Sequence, residues 1–153
     1  MEPLERFKDI MNQYISLFDA LIEVQKNKID AINKDQITFV EDCMNKEQAA
    51  ILKMRGLDLH REEIMKKLDC ESLTFRQIID KYGSESTDLL PLYEKLSSKI
   101  QLFKSLSENA KDLIEVNLHI INSVLDNNKN TSSPYSQDGI QSGTEKHFTS
   151  RFV

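Results

Sequence analysis

Apolar residues recur along most of this chain in alternating steps of three and four, the spacing that places side chains on one face of an α-helix. From about Pro3 to Ile32 the series is Leu4, Phe7, Met11, Tyr14, Phe18 and Leu21, a coiled-coil-like seam. A second row, Ile10, Leu17, Val24 and Ala31, widens the stripe enough to touch two neighbours. Pro3 fits the first helical turn, where a missing N–H costs nothing. The pattern breaks at Asn33-Lys34-Asp35, and Asp35 is the expected N-cap of a second helix. That helix is predicted to run to about Leu68, with Val40, Cys43, Ala50, Met54, Leu57, Ile64 and Leu68 on its seam. Glu47 and Arg61 interrupt the seam, and Gly56 weakens the helix by about 1 kcal/mol relative to Ala. So short a break between long helices implies an antiparallel hairpin, each arm roughly 45–50 Å long.

After a loop at Asp69–Ser72, a short helix is predicted over about Leu73–Tyr82. Thr74 and Gln77 have capping-box spacing, and Gly83 is a natural C-cap. Ser84–Thr87 reads as a polar linker. The last helix is expected to start near Asp88, with Pro91 tolerated in its first turn. Its seam is Leu89, Leu92, Leu96, Lys99, Phe103, Leu106, Ala110, Leu113, Asn117, Ile120 and Val124. Lys99 is expected to reach water along its own methylenes, and Asn117 to fix register at some cost in stability. From Asn127 the chain turns to Asn, Ser, Thr, Gln and Gly, with too little apolar surface to offset the entropy of ordering. The sequence therefore predicts an all-α fold: an antiparallel bundle of three long helices plus one short one over 1–126. A disordered tail is expected over 127–153, carrying Tyr135, Ile140, Phe148, Phe152 and Val153 as isolated apolar residues.

Composition agrees with long helices: 29% charged, 39% hydrophobic, four Gly, three Pro and no Trp. A net charge of −5 argues against nucleic-acid binding, because phosphate contacts need a concentrated basic face. The Lys66-Lys67 cluster near Arg61 is interleaved with Glu62 and Glu63 and reads as a solvated face. The N-terminus lacks the basic start and apolar core of a signal peptide, and no stretch approaches a bilayer span, so a cytoplasmic protein is expected. Cys43 and Cys70 match no disulfide or metal spacing. Cys43 on the seam is expected to be a small core hydrophobe; Cys70, in a loop, is expected to be the more reactive thiol.

No catalytic constellation is found. His60, His119 and His147 are not preceded by the Glu-x-x-His unit of di-iron bundles, and Glu115 with His119 supplies at most two metal ligands. Adjacent carboxylates such as Glu62-Glu63 and Glu41-Asp42 point about 100° apart and do not share a proton. Neither a phosphate loop nor a nucleophile elbow is present. No enzyme, cofactor or metal is expected. One feature exceeds structural need. Between Leu113 and Leu125 the apolar residues span roughly 200° of the helix, twice what one core contact requires. Either this end packs between both arms of the hairpin, or part of the face stays open for a partner helix.

The order of parts resembles the FlgN family of flagellar type III export chaperones. The resemblance runs from the break Ala31-Ile32-Asn33-Lys34-Asp35 through Asn45-Lys46-Glu47-Gln48 and Leu73-Thr74-Phe75-Arg76-Gln77-Ile78-Ile79. It continues in Asn109, Leu113-Ile114 and Ile120-Ile121-Asn122 of the long helix, and in the Tyr-x-x-x-Gly tail motif Tyr135-Ser136-Gln137-Asp138-Gly139. Phe148–Val153 have no family counterpart. The resemblance implies a cytosolic chaperone for the hook–filament junction proteins FlgK and FlgL, holding their C-terminal amphipathic helices and bringing them to the export gate. It implies cargo contacts at Leu113, Val116, Asn117, Ile120, Ile121 and Val124, and docking to the gate protein FlhA through Tyr135 and Gly139. A structural or adaptor coiled coil that self-associates as a homodimer through the same face is the alternative reading.

Overall fold

The computed structural model describes residues 2–85 and 87–129. Four helices make up the described chain: α1 (Glu2–Asn33), α2 (Ile37–Lys67), α3 (Phe75–Tyr82) and α4 (Leu89–Lys129). Among the described residues there is no strand.

α1 is the central helix. Every residue of its predicted seam is buried, and so are Ile10, Leu17 and Ala31 of the second row. Two apolar rows allow it to pack along its length against both α2 and α4, which make little contact with each other. Side-chain pairs fix the directions. Tyr14 Oη donates to Asp58 Oδ1 at 2.6 Å and Gln25 Nε2 donates to Glu47 Oε1 at 2.8 Å, so α2 runs antiparallel to α1. Lys8 lies 3.8 Å from Asp88 and Asp19 lies 2.6 Å from Lys99, so α4 runs parallel to α1 and antiparallel to α2. Consecutive long helices are thus antiparallel, as expected.

The turn between α1 and α2 differs from the sequence expectation. Asp35 is not an N-cap. It has φ 54°, the left-handed conformation, and Gln36 takes the N-cap position without a side-chain hydrogen bond. The Gln36 N–H donates to Ala31 O at 2.9 Å and the Asp35 N–H to Ile32 O at 3.2 Å. This is a Schellman motif, which satisfies the last carbonyls of α1. α2 ends the same way: Asp69 has φ 53°, Cys70 N–H reaches Met65 O and Asp69 N–H reaches Lys66 O. A short polar side chain tolerates this conformation better than most, so Asp does what Gly more often does.

At the base of the bundle α3 closes the core. Thr74 and Gln77 form the capping box in both directions, and the helix starts at Phe75 rather than Leu73. Phe75 meets Phe7 edge-on at 5.3 Å and Tyr14 at 5.9 Å between ring centroids. Such geometry sets the positive ring edge on a negative face. Gly83 is the C-cap but is right-handed; the carbonyl of Ile79, 2.7 Å from where a Cβ would stand, is what favours glycine there. Cys70 is fully buried, its thiol donating to Leu68 O at 3.2 Å, so the expectation of a reactive loop cysteine is overturned. Cys43 is buried as expected, and burial raises its thiol pKa.

The two polar interruptions of the α2 seam are partnered. Glu47 sits 3.0 Å from Lys28, which is 3% exposed, and also accepts from Gln25. Arg61 lies over the Phe75 ring and 4.0 Å from Asp58. Buried charges need such partners, because an unpaired one costs several kcal/mol.

Candidate functional site

α4 has 41 residues and α1 has 32, and both start at the same end of the bundle. From the pairings of Asp19 with Lys99 and of Phe18 with Phe103, the last turn of α1 is level with about residues 113–118 of α4. The remainder of α4, on the order of 16–24 Å, continues beyond the hairpin tip. Nothing in the sequence stops it: between Pro91 and Asn127 there is neither Pro nor Gly.

Over its packed length α4 buries Leu89, Leu96, Ile100, Phe103, Ser107 and Ala110. This core seam is rotated from the one read in the sequence. Ile100 replaces Lys99 and Ser107 joins it, while Leu92 and Leu106 are only half-buried. Lys99 does not simply reach water but pairs with Asp19.

After Ala110 no described residue of α4 is buried. The core seam nevertheless goes on in the sequence as Ile114, Leu118, Ile121 and Leu125, each three or four residues after the last. Ile114 and Leu118 are half-buried at the tip; Ile121 is 53% and Leu125 45% exposed. Beside it runs a second apolar row, Leu113, Val116, Ile120 and Val124, of which the last three are more than half exposed. Together the two rows account for the 200° arc. The expectation that this end packs between both hairpin arms does not hold, because the arms stop first.

Of the six residues assigned to cargo contact, Val116, Ile120, Ile121 and Val124 are exposed, and Leu113 and Asn117 are half-buried. All six lie on the apolar arc. Tyr135 and Gly139, assigned to gate docking, lie outside the described residues, as does the expected tail from residue 130 on; its first three residues, 127–129, are helical instead and continue α4. Ile114, Leu118 and Leu125 belong to the same arc but were not singled out as contacts, although their heptad continuity with Ala110 was readable. Ile37 and Phe39, at the start of α2, are 73% and 59% exposed and add apolar surface at the same end of the bundle. They escaped notice because they lie off the α2 seam.

The arrangement offers surface and little chemistry. Among the described residues no group of three or more His, Cys, Asp or Glu could hold a metal ion. His60, His119 and Glu115 are exposed. Among the described residues, no helix is long and apolar enough to cross a membrane. Among the described residues the clefts are open ones, such as the 660 Å³ groove between α1 and α2 beside Ser16, Ala20 and Gly56. The most perturbed titrating group, Tyr14, is structural: burial and the Asp58 carboxylate hold its phenol protonated well above the ordinary value.

Comparison with known proteins adds the family. The model of the FlgN protein family matches residues 1–143, nearly the whole chain. No significant match is found among curated proteins or among solved structures. The match spans all four helices and the apolar end of α4, and on it the chain belongs to the FlgN family, a family of flagellar export chaperones and not of enzymes.

Proposed function

We propose that this chain is a cytoplasmic chaperone that holds the C-terminal amphipathic helices of hook–filament junction proteins of the FlgK and FlgL type, keeps them from aggregating and brings them to the export gate. The observation that carries this reading is the end of α4, where a core seam outlasts the helices that would cover it. A cargo helix with its own apolar stripe supplies the missing neighbour. Covering about 600 Å² of apolar surface yields a gross term of roughly 15 kcal/mol. Ordering the cargo and immobilising it offset most of that, leaving a complex that forms and still releases. Tyr135 and Gly139 are the proposed contacts to FlhA, separate from the cargo face.

The test is co-purification with the C-terminal helices of junction proteins from the same organism, read as mass on size exclusion. A soluble complex of one to one is expected. Replacing Val116 and Ile120 by Asp abolishes it while helicity and melting stay unchanged, since neither side chain is core. Tyr135→Ala leaves cargo binding intact and weakens FlhA binding; equal loss of both rejects a separate docking role. A second reading, self-association through the same face, draws on the heptad spacing of the two rows. A free chain that runs as a dimer and takes up no cargo would establish that reading instead.

A further inference from the structure

The second apolar row does not begin at the tip. Read backwards in steps of three and four from Leu113, it passes Asn109 and continues to Leu106 and Leu102. Leu102 is 43% exposed and Leu106 half-buried, although both lie where α4 is firmly packed on α1. This outer row of Leu102, Leu106, Leu113, Val116, Ile120 and Val124 is thus an apolar face about 33 Å long that the bundle covers only in part, at Leu106 and Leu113. It lies on the Lys99 side of α4: Leu102 and Leu106 follow Lys99 by three and seven residues, and Lys99 reaches across to Asp19 of α1.

The rims of this row carry carboxylates. Along one edge α4 presents Glu108, Asp112, Glu115 and Asp126, at four-, three- and eleven-residue spacings that align them in a ridge, and from Asp112 to Asn127 it carries no Lys or Arg. Among the described residues, Glu108, Asp112 and Glu115 make no ion pair. Along the other edge α1 offers Asp19, which is matched within the chain by Lys99. Lys104 and Lys111 stand one turn from Glu108 and Glu115, so it is from Asp112 onward, where no Lys or Arg follows, that the charge beside the row is negative. A second copy of this chain docked there would set carboxylates against carboxylates at the flanking positions that decide coiled-coil partners.

Resting on the chaperone reading, we infer that the occupant of the outer row is an amphipathic helix flanked by Lys and Arg, lying along α4 from Leu102 to Val124. Its apolar stripe covers the row, and its basic flanks meet the Glu108–Asp126 ridge. Complementary flanks select this partner and speed its capture more than they tighten the final grip.

The experiment uses the full chain and two synthetic helical peptides of about six turns with an identical Leu/Ile stripe, one flanked by Lys and Arg and the other by Glu. Binding is followed by fluorescence anisotropy at low salt and at about 0.5 M salt. The basic peptide is expected to bind about tenfold more tightly at low salt, and the preference to shrink at high salt. Asp112→Lys with Glu115→Lys removes the preference, and Leu102→Ser weakens the basic peptide severalfold with helicity intact. Equal binding of the two peptides, or preference for the acidic one, overturns the inference. So does an unaltered affinity in Leu102→Ser, which would place the docked helix on the tip alone. A free chain that dimerises and excludes both peptides makes a second copy the occupant. Loss of the junction-protein complex while the peptide preference persists strikes the chaperone reading by itself.

Discussion

The two halves of α4 carry the same apolar spacing and meet different fates. From Leu89 to Ala110 the seam is covered by α1 and, at the base, by α3, and Phe103 meets Phe18 edge-on at 5.7 Å. From Leu113 to Leu125 the seam continues, richer in β-branched residues, but is half-covered at the tip and open beyond it. A helix is stable in water chiefly because an amphipathic face is packed, and segments of fewer than about 12–15 residues are marginal alone. The second half is helical because the first half nucleates it. What separates core from exposed surface here is the length of the neighbours and not the sequence of the helix itself.

The sharpest way to break that comparison is to truncate one apolar residue in each half. Phe103→Ala is expected to lower unfolding free energy by about 3–5 kcal/mol, and Ile120→Ala by less than about 0.5 kcal/mol, measured by urea denaturation. Comparable losses would mean that the tip of α4 is core after all. A second probe is the ion pair of Lys28 and Glu47, placed where α4 leaves the bundle. Glu47→Leu strands a buried ammonium and costs about 3 kcal/mol; adding Lys28→Met recovers most of it. If Glu47→Leu is instead harmless, the tip of the hairpin opens to water more readily than its base.

The base can be probed separately through Tyr14. Its folded pKa lies above the ordinary value of 10.0, so above about pH 10 the unfolded chain releases a proton that the folded chain keeps. Stability is complete below pH 10 and falls as pH rises further, by at most about 1.4 kcal/mol per pH unit from this group. Tyr14→Phe should flatten that part of the profile, seen as the change of melting temperature between pH 9 and 11 relative to wild type. The smallest expected effect compares the ends directly. Asp35→Gly at the tip and Asp69→Gly at the base each relieve a left-handed residue, worth about 0.5–1 kcal/mol. If the bundle unfolds as one unit, both raise the midpoint equally. A gain from Asp69→Gly alone would show that the tip melts first.

Most of the fold was legible because α1 obeys its pattern without exception: each seam residue is buried, and the break after Asn33 is where the chain turns. The capping box at Thr74 and Gln77 was equally readable, being local. Long-range facts were not. Nothing in the spacing told that Glu47 faces Lys28 or that Lys99 faces Asp19, since those pairs depend on the register between helices. Asp35 misled because the same residue type serves an N-cap and a left-handed C-terminal position, and only the backbone decides. The core seam of α4 was misplaced at Lys99 and Leu106, because two apolar rows run side by side and the sequence does not say which one faces inward. The breadth of the Leu113–Leu125 arc was visible from the start; its exposure depended on where α1 ends relative to α4, a matter of three-dimensional offset.

The continuous run of α4 has a kinetic consequence. In the proposed function, a cargo segment arriving as a random coil would meet a surface whose own backbone is already ordered, so the slow, nucleation-limited part of forming a helix pair would fall to the newcomer alone. Capture would then be paced by folding of the guest along a preformed track, and departure would require only that the guest melt from one end, while the track stays rooted in its bundle. For such a cargo the overrun would be a one-sided zipper whose fixed side never has to be rebuilt between rounds.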